Sequence, residues 1–312
     1  MSESITKVGT EMRSYYGRPI LKEPVWQPEV PCYFFTGGIA GGCSILHGVA
    51  RVAGHHRLAR TALYVGAAAD VVSPVLLISD LGRPERFLKM LRVFKVTSPM
   101  SVGSWVLFVS GGASTTAALL ELLGILRPVK WAAELLSFAA GPPLTTYTGT
   151  LLADTAIPVW HEARHELPWL FGASASASAG AATALFLRPG EAGPARRLAV
   201  GAAAAELACM QVMRQRLGFV GEVYRKDAAG KLARISKVCT AVGAGVLASR
   251  GKRSRAALVG GSVLLLAGEL ALRWSVFRAG FQSARDPRYT VIPQRERLEQ
   301  KGLADPLCSA PP

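Results

Sequence analysis

Charged side chains are scarce in this sequence. Asp, Glu, Lys and Arg make up 18% of its 312 residues, and aromatics only 8%. A chain so poor in charge, 50% hydrophobic and with a mean hydropathy of +0.27, lies far from a typical soluble domain. It reads as a polytopic membrane protein. Acidic residues are the scarcer sign, 21 against 36 Lys and Arg, for a net charge of +15. A nucleic-acid ligand does not follow, because the basic residues lie in short runs between apolar segments rather than along one soluble face; loop charge of this kind signals topology first. The five cysteines, Cys32, Cys43, Cys209, Cys239 and Cys308, include no CxxC pair. No iron-sulfur cluster, zinc finger or disulfide framework is therefore implied. The stretch MSESITKVGTEMRSYYGRP has no apolar h-region before a cleavage site, so insertion is expected to rely on the membrane segments themselves.

What the chain does have is long apolar runs. A membrane helix needs about 20 mainly apolar residues. On that ruler the candidate spans are 31–53, 61–81, 99–126, 129–153, 168–187, 198–217, 235–249 and 256–281. The sixth carries Glu206 at its centre, and the seventh is short and contains Lys237. The chain thus divides into an N-terminal membrane-surface arm, 1–30, a polytopic membrane domain, 31–282, and a C-terminal tail, 283–312. No tandem repeat is visible, but GGIAGGCS, SGGASTTAA and GASASASAGAA share a small-residue texture that lets helix backbones approach closely in lipid. The first of these glycine clusters follows no strand pattern and lacks a Walker lysine, so packing is the expected role rather than a phosphate cradle. Lys and Arg are more numerous in the loops on the side of the termini, which by the positive-inside rule puts both termini in the cytoplasm. A basic surface there also suits docking of an acidic partner.

The most informative stretch is 78–105, ISDLGRPERFLKMLRVFKVTSPMSVGSW. Gly82 and Pro84 stop the preceding helix and Pro99 starts the next. Between them Phe87, Leu88, Leu91 and Phe94 share one helical face, with Arg83, Arg86, Lys89, Arg92 and Lys95 largely off it. A helix lying in the bilayer interface is patterned this way, and so is an ordinary amphipathic connector.

Depth in the membrane groups residues that are distant in sequence. Tyr33 and Thr36 open the first span, Asp80 closes the second, Ser101, Ser104 and Trp105 open the third, and Tyr147 and Asp154 lie toward the end of the fourth. All fall at the N-terminal face, as a polar pocket roofed by the 83–95 hinge; singly, each is also explained as an interfacial residue. Asp70, His47, Glu121 and Glu134 lie deeper or toward the far surface and read either as a proton path or as paired carboxylates that join helices. Glu206, Glu269 and Arg273 invite the same two readings. His161, Glu162 and His165 spell HEARH, with the HExxH spacing of a zinc site, but Pro158 and Pro168 leave little room for the helix such a site needs and no third ligand is evident. Haem is not expected, because only His47 lies within a confident span.

The pattern DLGRPxRF…TSPMSxGSW resembles the NrfD/PsrC family, the quinone-interacting integral membrane subunits of polysulfide reductase-like molybdoenzyme complexes. Recognisable motifs cover roughly 26–160; the second half resembles the family in hydropathy more than in motif. The expected fold is an all-α integral membrane protein of about eight transmembrane helices forming two four-helix bundles, with an interfacial amphipathic helix between spans 2 and 3. The resemblance implies a quinone, menaquinone or ubiquinone, in the N-terminal pocket, with no haem and no metal in this chain. Asp80 matches a family acidic residue beside the quinone, Tyr147 a family tyrosine that hydrogen-bonds a quinone oxygen, and Tyr33 falls where some members carry a histidine. That departure leaves Asp80 as the main candidate proton acceptor. The remaining binding candidates are Thr36, Ser104, Trp105 and Asp154. The implied partners are an iron-sulfur electron-transfer subunit, docked on Arg83, Arg86, Lys89 and Arg92, and a molybdopterin-type catalytic subunit, at the cell (inner) membrane. Not catalytic alone, the chain would pass electrons between membrane quinone and the iron-sulfur subunit, with accompanying proton movement. A transporter using the same carboxylates is the alternative. It would call for discontinuous helices at the midplane and an internal repeat, neither of which the sequence displays.

Overall fold

The computed structural model describes residues 20–80, 89–92 and 94–300, and all regular structure within them is helical. The helices are α1 (Glu29–Val52), α2 (His56–Asp80), α3 (Pro99–Leu123), α4 (Arg127–Ala153), the one-turn α5 (Pro158–Glu162), α6 (Leu167–Ala184), α7 (Gly193–Arg216), α8 (Asp227–Ser249), α9 (Arg255–Arg285) and α10 (Arg288–Gln300). A 3₁₀ turn, Val220–Arg225, joins α7 to α8. Local chemistry sets several boundaries. Ser98 caps α3 by accepting from the Ser101 N–H, with Pro99 in the first turn where its missing N–H costs nothing, and Gly124 ends the helix in the left-handed region at φ 68°. Ser254 caps α9 in the same way through the Ala257 N–H.

Four helices, α2, α3, α8 and α9, are long and apolar enough to cross a membrane. The other long helices are diluted by small or polar side chains, as in LPWLFGASASASAGAATA of α6. Outward faces are apolar: Val71 and Val75 on α2, Phe108 and Leu119 on α3, Leu135 on α4 and Val238 on α8 are all exposed. Such a surface is solvated by lipid tails, not water. Inside, α1 packs along α2, α4 and α6; α3 packs on α2 and α4, α6 on α7, α8 on α9, and α9 returns to α6 and α1. Glycines set the spacing where α1 crosses its neighbours. A Cβ on Gly41 would lie 2.9 Å from the Gly141 carbonyl, and one on Gly42 would lie 2.7 Å from the Ala175 carbonyl, so α1 touches α4 and α6 backbone to backbone.

Successive long helices run up and down, which gathers loops into two faces. At the N-terminal face the Gln27 N–H donates to Asp80 Oδ1 at 2.8 Å, and Arg285 grips Glu23 through two hydrogen bonds of 2.8 and 2.9 Å. At the opposite face Arg57 pairs with Glu191 at 2.8 Å, and Arg255 donates to the carbonyls of Leu185 and Leu187. The interfacial helix expected over 83–95 lies largely outside the described residues, as do Arg83 and Arg86; Lys89 and Arg92 are exposed at the N-terminal face.

Candidate functional site

At the N-terminal face the start of α1, the end of α2, the start of α3 and the last turns of α4 close around a cavity of about 70 Å³. Asp80, Tyr33, Ser104 and Tyr147 all border it, among apolar neighbours that include Trp26, Phe34, Met90 and Met100. Asp80 is the last residue of α2, and the amide of Gln27 fixes one of its oxygens. Ser104 donates to the Met100 carbonyl at 2.8 Å and so has its lone pairs to offer. Tyr33 and Tyr147 are buried, and neither hydroxyl has a hydrogen-bond partner among the described residues. Tyr147 can take its place because position 103 is glycine: a Cβ there would sit 2.2 Å from the Tyr147 ring. The cavity therefore combines one carboxylate, two phenols and a hydroxyl inside an aromatic and thioether wall.

Three other sequence candidates lie elsewhere. Thr36 sits one layer down, its hydroxyl hydrogen-bonded to Ser73 at 2.8 Å. Trp105 turns the other way, edge-on to Phe94 and Phe108, lining an apolar groove between α3 and α4. Asp154 follows the end of α4 and is exposed. Conversely Trp26, Phe34, Met90 and Met100 border the cavity without having been singled out. Trp26 is held by stacking on Trp160 at 5.5 Å, and Trp160 in turn donates to the Val276 carbonyl at 2.8 Å. The cue lay in the run ADTAIPVW, residues 153–160, where a tryptophan follows a proline turn at the pocket's depth.

Deeper in α2, Asp70 is 1% exposed and accepts hydrogen bonds from Ser110 and Ser114 of α3. His47, Glu134 and Glu121 form a separate network at the opposite face. Arg51 donates to Glu134 at 2.8 Å, the His47 Nε2 lies 3.5 Å from the same carboxylate, and Lys130 bonds Glu121 while standing 3.9 Å from Glu134. No direct side-chain contact joins Asp70 to that network among the described residues. The second half holds a third polar centre. Glu206 of α7, Glu269 and Arg273 of α9 and Ser174 of α6 are each at most 1% exposed. Ser174 donates to Glu269 at 2.7 Å; Arg273 donates to the Phe171 carbonyl at 3.0 Å and lies over the Phe171 ring at 3.8 Å. Glu206 faces Glu269 there, and Glu206 Oε2 and Glu269 Oε1 are buried without a hydrogen-bond partner among the described residues.

The loops of the N-terminal face are ionic. Arg216 pairs with Glu166, Arg297 with Glu162 at 3.2 Å, and Asp286 with Arg288 at 2.8 Å. The Arg285 guanidinium holds the Glu23 carboxyl below the usual carboxylate range, and Arg288 does the same to Asp286. His161 and His165 are exposed on and just after the one-turn α5, and among the described residues no three His, Cys, Asp or Glu side chains gather as a metal site.

A family model described as polysulfide reductase, of the NrfD type, matches residues 12–285. No curated protein matches this sequence.

Proposed function

Since the chain belongs to the NrfD-type polysulfide reductase family, a family of membrane subunits of molybdoenzyme complexes, we propose that it is the quinone- or quinol-reactive subunit of such a complex. Electrons pass between the ring and an iron-sulfur subunit docked at the N-terminal face, which in turn serves a molybdopterin-type subunit. In this reading all eight long helices span the bilayer as two groups of four, and both termini face the cytoplasm. A transmembrane arrangement is supported by the apolar outward faces and the up-and-down course of the helices.

The observation that carries the proposal is the meeting of Asp80, Tyr33 and Tyr147 in one cavity beneath the face that holds the exposed Lys89 and Arg92. The donor set fits a quinone ring, since two phenols without protein partners suit two ring oxygens and Ser104 stands beside them. Room is the second criterion. The cavity of about 70 Å³ is narrow, but Met90 and Met100 border it, and an unbranched thioether side chain moves aside at little cost. A quinone supplies the two-electron, two-proton chemistry when bound. Asp80 takes or gives the proton at its second oxygen, the one the Gln27 amide leaves free. Tyr147 holds the ring by a neutral hydroxyl with no charge to desolvate, and Trp26 and Phe34 exclude water from the reacting edge.

Purification in mild detergent tests the assignment: iron-sulfur and molybdopterin chains should co-purify, and Tyr147→Phe should weaken quinone binding. A chain that purifies alone, fully folded, with transport activity in vesicles would contradict it.

A further inference from the structure

Asp80 can hold one proton, whereas a quinol gives up two. Oxidising the quinol breaks two O–H bonds, and if its electrons leave through the docked subunit, both protons must leave through side chains or water. Tyr33 and Tyr147 offer neutral hydroxyls that hold the ring. Asp80 must therefore be emptied between the first proton and the second.

Glu29 is the residue placed to empty it. It opens α1, two positions after Gln27, whose N–H holds Asp80 Oδ1 at 2.8 Å. Its sequence neighbour Val30 borders the cavity together with Trp26 and Asp80, and Glu29 itself does not. Glu29 nevertheless stands near enough for its charge to bear on the Asp80 carboxylate. The residue is only partly buried, so it meets both the interior beside Asp80 and the N-terminal face. Its Oε2 is closed off from solvent and has no hydrogen-bond partner among the described residues. A buried carboxylate oxygen without a donor is costly unless a proton or a water molecule satisfies it.

Other carboxylates of this face are tied to arginines. Glu23 is held by Arg285, Glu162 by Arg297, Glu166 by Arg216 and Asp286 by Arg288. Among the described residues neither Glu29 nor Asp80 has such a cation; Arg83 and Arg86, the next charges after Asp80, lie outside them. A carboxylate locked to an arginine serves the fold. One left without a cation, beside a second carboxylate at the mouth of a cavity, is free to gain and lose a proton.

We propose that Glu29 is the group through which Asp80 exchanges protons with the N-terminal face. This rests on the quinone-reactive reading above. In quinol oxidation a ring O–H bond breaks toward Asp80, and the proton crosses to Glu29 over one intervening water and leaves to water at the face. Asp80 then takes the second proton, and the two electrons pass to the docked iron-sulfur subunit. Quinone reduction runs the same steps backwards. Glu29 acts through Asp80 and does not touch the ring.

Quinone-linked turnover of the purified complex, with and without added sodium acetate, tests this. Glu29→Gln is expected to lower turnover about tenfold or more while quinone content and melting stay unchanged. Acetate, a diffusible weak acid, should restore most of the loss, and Glu29→Asp should keep most of the turnover. In an Asp80→Asn background Glu29→Gln should add no further loss, because both residues serve one route. Full turnover in Glu29→Gln beside a slow Asp80→Asn overturns the role of Glu29 and keeps the Asp80 site; full turnover in both overturns the two together. A slow Glu29→Gln that acetate does not restore, or whose loss multiplies with that of Asp80→Asn, also overturns the relay.

Discussion

Tyr147 depends on an absence. Only glycine at position 103 leaves room for its ring, because a Cβ would lie 2.2 Å from it. Gly103→Ala should therefore cost about 1–3 kcal/mol by overpacking and reduce quinone affinity, though residue 103 offers no polar side-chain group to a ligand. Tyr147→Phe keeps the ring and removes one hydrogen bond, worth about 0.5–1.5 kcal/mol, so the two variants should weaken quinone binding alike while only Gly103→Ala lowers the melting temperature. At this scale the sequence was readable by depth but not by azimuth. Counting turns from the helix ends brings Tyr33, Asp80, Ser104 and Tyr147 to one level, and all four border the same cavity. Trp105 is at the same level, yet one residue beyond Ser104 turns about 100° around the helix and points at α4's outer face instead. Asp154 shares the level too, but α4 ends at Ala153, so its side chain leaves with the chain.

Among the elements, α9 binds the two halves of the chain. Arg273 reaches the Phe171 carbonyl of α6, and a Cβ on Gly38 of α1 would lie 3.2 Å from its guanidinium. Beside it stand the buried carboxyl groups of Glu206 and Glu269. Arg273→Met would leave the acid pair with no cation, and breaking a buried charge arrangement in this way costs about 3–5 kcal/mol, a loss that thermal unfolding in detergent would register. Glu206→Gln puts a neutral donor facing Glu269 and should be far milder. The N-terminal arm is held differently, by Glu23 on Arg285 at the end of α9. Because the folded-state pKa of Glu23 is lowered, its contribution is full above the ordinary carboxylate range and is lost as pH falls through the lowered value. Arm cleavage by an acid-active protease should rise over that interval, and Arg285→Gln should make the arm cleavable at neutral pH. Element boundaries were legible where proline punctuates the chain, as at Pro99, but the span expected to reach 126 stops at Leu123, with Gly124 in the left-handed region. They were not legible at 235–249, where hydropathy sees the apolar core but the helix begins at Asp227, on the polar turns that carry it out of that core.

For the whole molecule, an all-helical membrane protein followed from the scarcity of charge and the spacing of apolar runs. The joining of the halves did not, because it rests on Gly42 against Ala175 and on Arg273, contacts between residues more than a hundred positions apart. The fold leaves an exposed basic edge, Lys89 and Arg92, at the face of the Asp80 pocket. Lys89→Glu with Arg92→Glu should release the soluble electron-transfer subunit during gel filtration without altering the melting of the membrane part; an intact, fully active complex would place the docking surface elsewhere. The most direct test of the quinone assignment is quinone-linked turnover of the purified complex carrying Asp80→Asn, measured beside its extracted quinone content. Losing the proton-exchanging group should leave the quinone content unchanged and lower turnover by about a hundredfold or more. Undiminished turnover would contradict the assignment of Asp80 and of the pocket it borders.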